Sequence, residues 1–306
     1  MTKTDYDLVI IGAGPAGLTA GIYAARARMN VLLLEKAAPG GQVLITDWIE
    51  NYPGFPEGIS GYDLAMKMKT QAEDLGLKIE TAEVQSLTLS KESKKIVLKD
   101  RVIATKSLII ASGASPRNLG IGEDKFFGKG VSFCATCDAP FFKDKTVVAI
   151  GGGDTAVQEA IFLTKFAKKV YLVHRRDEFR AEKILQERAF ANKKIEIIWD
   201  SVPIGVDGFF GVESVRLKNV KTNEERTIKA DGCFIWIGIL PNTSFLDTSL
   251  KTDEFGFILA DIKMQTSVPG VYAAGDVRDT PLRQISTAVG DAAIAALSAE
   301  HFIENY

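Results

Sequence analysis

DLVIIGAGPAGLTAGIYAARARMNVLLLE, residues 7–35, is the stretch of the chain that decides the fold. It predicts an apolar strand over 7–11, a glycine-rich turn, a helix over 17–29 and a second apolar strand over 31–35. Continuously apolar strands are typical of a parallel sheet that is buried on both faces. The segment therefore predicts a βαβ unit.

The turn of this unit carries a dinucleotide-binding fingerprint made of Gly12, Gly14 and Gly17. The first glycine permits the tight turn, the second lets a pyrophosphate approach the backbone, and the third lets the helix pack closely on the strand. Glu35 ends the second strand, 18 residues after Gly17, where a carboxylate accepts hydrogen bonds from ribose hydroxyls and disfavours a 2′-phosphate. The site therefore suits FAD or NAD(H); the alternative is a glycine-rich turn that binds no ligand.

The same pattern recurs over residues 145–173, where KTVVAI predicts a strand, GGGDTA a turn, 157–167 a helix and KVYLV a second strand. The glycine turn here is the G-x-G-x-x-A variant of the fingerprint, with Gly151, Gly153 and Ala156 at its three positions. Two copies of one unit, with their first glycines 139 residues apart, indicate two nucleotide-binding domains and not a solenoid of short repeats.

The end of the second strand differs between the two copies. In the second copy it carries His174, Arg175 and Arg176, with Arg180 close behind, in place of an acid. Guanidinium groups suit the bidentate recognition of phosphate, so this set indicates the 2′-phosphate of NADP(H). The alternative is a solvated basic turn.

The segments SLIIASGASPR (107–117) and FIWIGILPN (234–242) each predict an apolar strand that ends in glycine and proline, as expected where a chain leaves a domain. VYAAGDV (271–277) predicts a further buried strand, and 285–302 predicts a helix. The predicted fold class is α/β, with two Rossmann-like nucleotide-binding domains. Residues 1–115 and 242–306 form the FAD-binding domain, into which the NADPH-binding domain, residues 116–241, is inserted.

Two of the three cysteines form the motif Cys134-Ala-Thr-Cys137, which Asp138 follows. Metal binding needs further ligands, and the chain has only two histidines and one other cysteine, Cys233, in an apolar strand. Two thiols at this spacing suit redox cycling through a disulfide, and a helix start there favours the thiolate. Asp138 is a candidate proton donor and acceptor. The alternative is that its negative charge, or a cap formed by its side chain, only stabilises the N-terminus of a helix.

Together, two dinucleotide sites and one dithiol indicate an electron path from NADPH through a flavin to the Cys134–Cys137 disulfide and on to an external disulfide. The composition fits a globular protein whose formal net charge is −2, without a basic block for nucleic acid. No secretory signal or apolar run of about 18 residues is present. A cytoplasmic protein that binds neither nucleic acid nor membrane is therefore predicted.

The motifs closely resemble those of the low-molecular-weight thioredoxin reductases, in the same order along essentially the whole chain. They are GAGPAG (12–17), PGGQ (39–42), CATCD (134–138), GGGDTA (151–156), HRRDEFRA (174–181), AAGDV (273–277) and RQ (283–284). The resemblance implies a homodimer that reduces thioredoxin or a thioredoxin-like protein. It also implies that the two domains swing relative to each other, for which Gly113 with Pro116 and Gly238 with Pro241 are candidate hinges.

The resemblance also assigns roles to single residues. Cys134, Cys137 and Asp138 would be catalytic. Expected at the FAD are Gly12, Gly14, Pro15, Ala16, Gly17, Glu35, Gly41, Gln42, Thr46, Asn51, Gly113, Asp276 near the ribityl chain, and Arg283, Gln284 and Ala288 near the isoalloxazine. Expected at NADPH are Gly151, Gly153, Asp154, Thr155 and Ala156, with His174, Arg175, Arg176 and Arg180 at the 2′-phosphate. Ala139 and Pro140 depart from the glycine and aromatic residue of many relatives, which bears on partner docking and on the dithiol potential.

Four other classes of protein share parts of this pattern. Ferredoxin–NADP reductases of similar architecture lack the C-x-x-C motif. Peroxiredoxin-reducing flavoproteins carry an additional thioredoxin-like module before the FAD strand. Glutathione-reductase-like enzymes are longer and place more widely spaced cysteines in the FAD domain. A redox sensor built on the same scaffold is not excluded by the sequence, and sustained turnover would distinguish an enzyme from it.

Overall fold

The computed structural model describes residues 4–46, 49, 51–90 and 94–305, except for the side chain of Ile45. Within these ranges the chain divides into two compact units. The outer unit comprises the described residues up to Ser115 and those from Leu240 onward, and the inner unit is Pro116–Ile239. The binding of FAD by the first and of NADPH by the second stays a prediction.

The strands are, in chain order, β1 (Tyr6–Ile11), β2 (Val31–Glu35), β3 (Lys78–Thr81), β4 (Ser86–Leu89), β5 (Lys94–Val97), β6 (Val102–Ile110), β7 (Ala114–Pro116), β8 (Val131–Ser132), β9 (Thr146–Gly151), β10 (Lys169–Val173), β11 (Ile195–Ile198), β12 (Ser201–Asp207), β13 (Ser214–Asn219), β14 (Glu225–Lys229), β15 (Gly232–Trp236), β16 (Ile239–Pro241) and β17 (Val271–Ala273). The α-helices are α1 (Pro15–Arg26), α2 (Gly61–Asp74), α3 (Ala135–Asp138), α4 (Asp154–Leu163), α5 (Lys183–Ala191) and α6 (Ile285–Glu304). Short 3-10 turns cover Gly41–Ile45, Glu123–Phe126, Ala139–Phe142 and Gly275–Val277.

In the outer unit the sheet order is β3-β2-β1-β6-β5-β4, and β17 also pairs with β6. The pairs that β1 makes with β2 and β6 are parallel, as is β2 with β3. Helix α6 packs on α1 through small side chains, since Ala292, Ala295 and Ala299 are all fully buried. This packing covers one face of the sheet and holds the N-terminus of α1 at the carboxyl end of β1.

In the inner unit the parallel sheet order is β11-β10-β9-β15-β8, and β12-β13-β14 form a separate antiparallel sheet. The two sheets share one arrangement: the strand before the glycine turn, β1 or β9, is central, the next two strands of the βαβ unit and its extension follow on one side, and a later parallel strand, β6 or β15, pairs on the other. A crevice forms at the carboxyl ends of the strands where the order reverses, and ligands bind there in open α/β sheets. The predicted α/β class with two Rossmann-like domains is confirmed.

Several predicted boundaries moved by a few residues. Helix α1 ends at Arg26 and not at Met29, because Arg28 has a φ of +60° that no helix continues through. Helix α4 begins at Asp154, directly after the glycine turn, and ends at Leu163. The predicted strand over 271–277 is a strand only for its first three residues, since Gly275 has a φ of +75° and begins a 3-10 turn.

Two glycines flank the places where the chain passes from one unit to the other. Gly113 and Gly238 have φ values of +69° and +110°, which residues other than glycine rarely adopt. Strands β7 and β16 pair at these crossings. The Asn242 side-chain amide donates to the backbone carbonyl of Ser112 at 2.8 Å, and the Asn242 backbone carbonyl accepts from the Ser112 hydroxyl at 2.8 Å. The hinge role of the two glycines stays a prediction.

Truncating Phe234 should destabilise the inner unit strongly. Phe234 is fully buried, and its ring lies 5.1 Å from that of Phe142 and 5.6 Å from that of Trp236. We expect Phe234→Ala to lower the free energy of unfolding by about 3–5 kcal/mol, as measured by urea denaturation. Phe209→Ala removes the same side chain where it is 82% exposed, and should cost less than about 0.5 kcal/mol. Equal losses in the two variants would contradict this packing.

Candidate active site and cofactor sites

The glycine turn after β1 separates into crowded and open positions. A Cβ on Gly12 would lie 2.4 Å from the carbonyl oxygen of Ala111, and one on Gly17 would lie 1.7 Å from the carbonyl oxygen of Gly12. A Cβ on Gly14, by contrast, would meet no protein atom within 4 Å. The chain itself therefore requires the first and third glycines, whereas the second faces open space at the N-terminus of α1, which Pro15 and Ala16 begin.

Glu35 reaches this turn from the end of β2. Its Oε2 atom accepts a hydrogen bond from the Ala13 backbone N–H at 2.7 Å, and its Oε1 atom accepts from the Ala37 N–H at 2.9 Å. A carboxylate held in this way keeps lone pairs for further donors. This position agrees with the predicted contact to ribose hydroxyls.

Two further loops close on the same turn. The Gly40 N–H donates to the Ala13 carbonyl at 2.7 Å, and a Cβ on Gly41 would lie 3.1 Å from the Cα of Gly14. A Cβ on Gly275 would lie 3.1 Å from the Cβ of Ala16 and 3.4 Å from that of Ala288. The structure therefore gathers the predicted residues Gly41 and Ala288 and the turn before Asp276 around the first fingerprint.

The remaining predicted FAD residues lie in short contacts within the outer unit. The Asn51 amide donates to the side-chain oxygen of Gln284 at 3.0 Å, and the Thr46 hydroxyl donates to the Gln42 carbonyl at 3.4 Å. The Arg283 guanidinium lies 4.2 Å from the centre of the Phe257 ring, and its buried Nε atom has no hydrogen-bond partner. Gly113 follows the segment that packs on Gly12.

Asp276 occupies a partly buried position whose charges oppose one another. Burial raises the pKa of its carboxyl, the positive charge of Arg283 lowers it, and the negative charge of Asp291 raises it again. Asp291 was missed by the sequence analysis. It accepts from the Gly275 N–H at 3.2 Å and pairs with Arg278 at 3.1 Å. An acid within an otherwise alanine-rich helix was the available signal.

The second glycine turn repeats the division into crowded and open positions. A Cβ on Gly151 would lie 2.4 Å from the Trp236 carbonyl oxygen, whereas one on Gly153 would meet no atom within 4 Å. Ala156 is buried, and Asp154 and Thr155 begin α4 exposed to solvent. The fingerprint therefore presents an open backbone edge at the start of α4.

The arginine loop folds back over this turn. The Arg180 N–H donates to the Gly152 carbonyl at 2.8 Å, and the Glu182 N–H donates to Asp154 Oδ1 at 2.7 Å. The side chains of Arg175, Arg176 and Arg180 are exposed. The structure thus brings these guanidinium groups to the turn whose backbone edge is open.

His174 lies beneath the arginines and not among them. It is only 6% exposed, a Cβ on Gly152 would lie 2.3 Å from its ring, and its Nε2 atom has no partner. Burial lowers the pKa of His174, and the positive charges of Arg180, Arg175 and Arg176 lower it further. His174 is therefore neutral near pH 7, and its contact with a phosphate stays a prediction.

The Cys134–Cys137 pair forms a disulfide at the start of α3, with an S–S distance of 2.08 Å. The Cys137 N–H donates to the Cys134 Sγ atom at 3.2 Å, and the Cys134 N–H donates to the Ser132 hydroxyl at 3.0 Å. Both cysteines are half-buried. The turn therefore presents a disulfide in which the Cys134 sulfur, once reduced, would have the Cys137 N–H as a backbone donor to stabilise a thiolate.

Residues next to the disulfide anchor it in the inner unit. Asp138 ends α3, and its N–H donates to the Cys134 carbonyl at 3.1 Å. Ala139 is fully buried and Pro140 is exposed, so the methyl group that replaces the usual glycine lies in the core. Cys233 is fully buried, which raises the pKa of its thiol to about 12 and keeps it unreactive near neutral pH.

The described residues contain neither a metal-binding cluster nor a membrane-spanning helix. Across them, no group of three or more histidine, cysteine, aspartate or glutamate side chains is placed to hold a metal ion. No helix in the same ranges combines the length and the apolar character needed to cross a membrane.

The residues at both turns fit a bound dinucleotide. Each turn has an open glycine at a helix N-terminus, where backbone N–H groups and the helix dipole favour phosphate. Each unit also has buried side-chain nitrogen without a partner: Arg278 Nε and Arg283 Nε in the outer unit, and His174 Nε2 in the inner one. Two nucleotide sites and one disulfide in a single chain define a nucleotide-dependent disulfide oxidoreductase.

The chain belongs to the pyridine nucleotide-disulphide oxidoreductase family, whose model matches residues 6–292. It is 44% identical to the thioredoxin reductase of Bacillus subtilis, over 98% of this chain and 95% of the relative. The solved thioredoxin reductase of Streptococcus pyogenes is 47% identical with a TM-score of 0.87, over 98% of this chain and 99% of that one. The solved enzyme of Giardia duodenalis is 40% identical with a TM-score of 0.86, over 99% and 100% of the two chains. The predicted family is confirmed, and membership implies a flavin and a pyridine nucleotide.

Because Gly14 is open and Gly17 is crowded, replacing each by alanine should affect a different property of the protein. Gly14→Ala places its methyl group where only a ligand would be, so the protein should fold normally and bind flavin more weakly. Gly17→Ala forces a clash with the Gly12 carbonyl, so it should lower the melting temperature itself. Circular dichroism and the absorbance ratio of flavin to protein measure the two effects. Full flavin content in both variants would contradict this account of the turn.

Proposed function

We propose that this chain is an NADPH-dependent thioredoxin reductase that contains FAD and reduces thioredoxin or a thioredoxin-like protein through Cys134 and Cys137. The observation that carries the proposal is the Cys134–Cys137 disulfide in the same inner unit as an arginine-flanked glycine turn. The outer unit contributes a second glycine turn, closed by an acid. Relatives named thioredoxin reductase, at 40–47% identity over nearly the full chain, support the choice of acceptor.

We assign FAD to the outer unit. A carboxylate at the end of β2 disfavours the 2′-phosphate of NADP(H), and Glu35 already lies on the glycine turn through Ala13. Gly41 and the 3-10 turn Gly275–Val277, which contains Asp276, approach that turn from two loops, and Ala288 of α6 lies beside Gly275. Asn51 and Gln284, joined by a hydrogen bond, would orient the flavin ring with Arg283.

We assign NADPH to the inner unit. Arg175, Arg176 and Arg180 are exposed beside the open backbone of Gly153, and planar guanidinium groups bind phosphate by two parallel hydrogen bonds. His174 packs against Gly152, and we propose its contact with the phosphate from the resemblance of the HRRDEFRA motif. Asp154 and Thr155 begin α4, whose positive end favours the pyrophosphate.

The chemistry of the chain's own residues is thiol–disulfide exchange. A bound flavin supplies the two-electron transfer that links a nicotinamide to a disulfide. The Cys134–Cys137 bond takes up two electrons and two protons and becomes a dithiol. One thiolate attacks a sulfur of the partner's disulfide, and the second thiol then displaces the partner as a dithiol and re-forms the Cys134–Cys137 bond. Asp138, adjacent to Cys137, is our candidate for supplying and accepting the proton.

We further propose that the enzyme is a homodimer and acts in the cytoplasm. The resemblance of its motifs to the low-molecular-weight thioredoxin reductases supports the dimer. A reducing compartment with a supply of NADPH suits a dithiol that must cycle repeatedly.

Anaerobic titration tests the electron path. NADPH should bleach the flavin of the purified protein, and oxidised thioredoxin should then restore the colour over many turnovers. Cys137→Ser should keep the bleaching and lose thioredoxin reduction, because no disulfide can form. Cys233→Ala is the control and should retain turnover, since that thiol is buried away from solvent. Bleaching without sustained turnover in the wild type would instead indicate a redox sensor.

Removing the arginines tests the coenzyme assignment. Arg175→Ala combined with Arg176→Ala should lower the preference for NADPH over NADH by at least about tenfold, or about 1.4 kcal/mol, because NADH lacks the phosphate that they bind. The ratio of kcat/KM for the two coenzymes measures this preference. Arg188→Ala removes an exposed arginine on α5 and should leave the ratio unchanged. A ratio unaffected by the double substitution would overturn the assignment.

A further inference from the structure

Thr136 lies between the two redox cysteines, and the sequence analysis gave it no role. Its hydroxyl oxygen is hydrogen-bonded to the Cys134 Sγ atom at 3.3 Å. Because that sulfur is bonded to Cys137 and carries no hydrogen, the Thr136 hydroxyl is the donor. The Cys137 N–H donates to the same sulfur at 3.2 Å. Two donors therefore converge on the Cys134 sulfur.

The segment around Cys134 is fixed by contacts that do not depend on the disulfide. The Cys134 N–H donates to the hydroxyl of the buried Ser132 at 3.0 Å, and the indole N–H of Trp236 donates at 3.0 Å to the carbonyl just before Cys134. Ala135, between Cys134 and Thr136, is fully buried in the core of the inner unit. We therefore expect Thr136 to stay beside the Cys134 sulfur when the disulfide is reduced.

Reduction changes the strength of this hydrogen bond. The sulfur of a disulfide or a thiol is a weak acceptor, whereas a thiolate carries a full negative charge, and hydrogen bonds to charged acceptors are about twice as strong as those to neutral ones. The Thr136 hydroxyl therefore stabilises the ionised form of Cys134 more than the protonated form. Such a donor lowers the pKa of a thiol, and the thiolate is the form that attacks a disulfide.

The titratable groups near this sulfur lie on α3 and on α4, which packs against it. Helix α3 carries Cys137 and Asp138, and α4 carries Asp154 and Glu159. The 3-10 turn that follows α3 contributes none. Burial raises the pKa of the Glu159 carboxyl. Negative charge on any of these groups disfavours a thiolate, so the hydrogen bond from Thr136 acts against them.

We propose that Thr136 is a further catalytic residue, whose hydroxyl donates to Cys134 Sγ and stabilises the thiolate there. The inference rests on the proposed disulfide chemistry of this site. In the exchange, an electron pair of the Cys134 thiolate forms a bond to one sulfur of the partner's disulfide, the partner's S–S bond breaks, and the released sulfur takes up a proton. Thr136 raises the fraction of Cys134 that is ready for this step near neutral pH.

The test is the pH dependence of alkylation at Cys134 in the reduced holoprotein. Dithiothreitol gives two electrons and two protons to the disulfide and closes its own ring, and the excess is then removed without oxygen. In a short pulse of iodoacetamide at each pH, the thiolate forms an S–C bond and iodide leaves. Mass spectrometry with peptide fragmentation counts the label on Cys134 separately from that on Cys137. The measurement needs neither NADPH nor thioredoxin, so it succeeds or fails independently of the proposed enzyme activity.

Thr136→Val keeps the shape of the side chain and removes the hydroxyl. It should raise the midpoint of the Cys134 alkylation profile by about one pH unit, which is about a tenfold loss of thiolate below the midpoint. Thr136→Ser keeps the hydroxyl, so its midpoint should stay closer to that of the wild type. Thr70→Val, the same change at an exposed position on α2, should leave the midpoint unchanged. An unshifted or lowered midpoint in Thr136→Val, or equal shifts in the serine and valine variants, would refute the role of the hydroxyl.

A second background guards against effects of the neighbouring thiol. Cys137→Ala removes that thiol and keeps the backbone N–H that donates to Cys134. Adding Thr136→Val there should raise the midpoint again; an equal midpoint with and without the hydroxyl overturns the proposal. Flavin content and circular dichroism identify any variant that has lost its fold. If Thr136→Val has lost its fold, Thr136→Ala replaces it, and an unshifted midpoint in the folded alanine variant counts against the proposal in the same way.

Discussion

The close approach of strand and helix at each glycine turn is the constraint on which the rest of the molecule depends. At Gly17 the helix backbone lies so near the Gly12 carbonyl that a Cβ would have to occupy a position 1.7 Å from its oxygen. At Gly151 the same crowding comes from Trp236 and Ala156. Because these contacts hold α1 and α4 against their sheets, both helix N-termini point into a crevice at the carboxyl ends of the strands.

The two units differ where each second strand ends, and that difference separates their chemistry. In the outer unit Glu35 folds onto the turn and accepts from its backbone. In the inner unit the strand continues into a loop that returns over the turn through Arg180 and leaves its guanidinium groups exposed. Since the Cys134–Cys137 disulfide also lies in the inner unit, that unit carries both the basic loop and the disulfide. The outer unit carries the glycine turn to which Glu35 is hydrogen-bonded.

The fold and the motif residues were predictable because they depend on local sequence. Glycine spacing, apolar strands and the C-x-x-C motif each report a short segment whose conformation is set by its own residues. The roles of Asp291 and Asn242 were not predictable in this way. Each acts on a segment far away in the chain: Asp291 on Gly275 and Asn242 on Ser112. His174 shows the same limit, since its place in the motif does not reveal that the ring is buried under Gly152.

By itself the sequence determined which segments are strands, turns and helices, and that two nucleotide folds occur with one inside the other; it also predicted which residue types would meet phosphate. These follow from periodicity and from the few residues that a tight turn tolerates. Only the tertiary structure decided which glycines face open space and which histidine nitrogen lacks a partner. Those properties arise when segments distant in the chain pack together, because burial and hydrogen-bond partners are set by neighbours in space and not by neighbours in sequence.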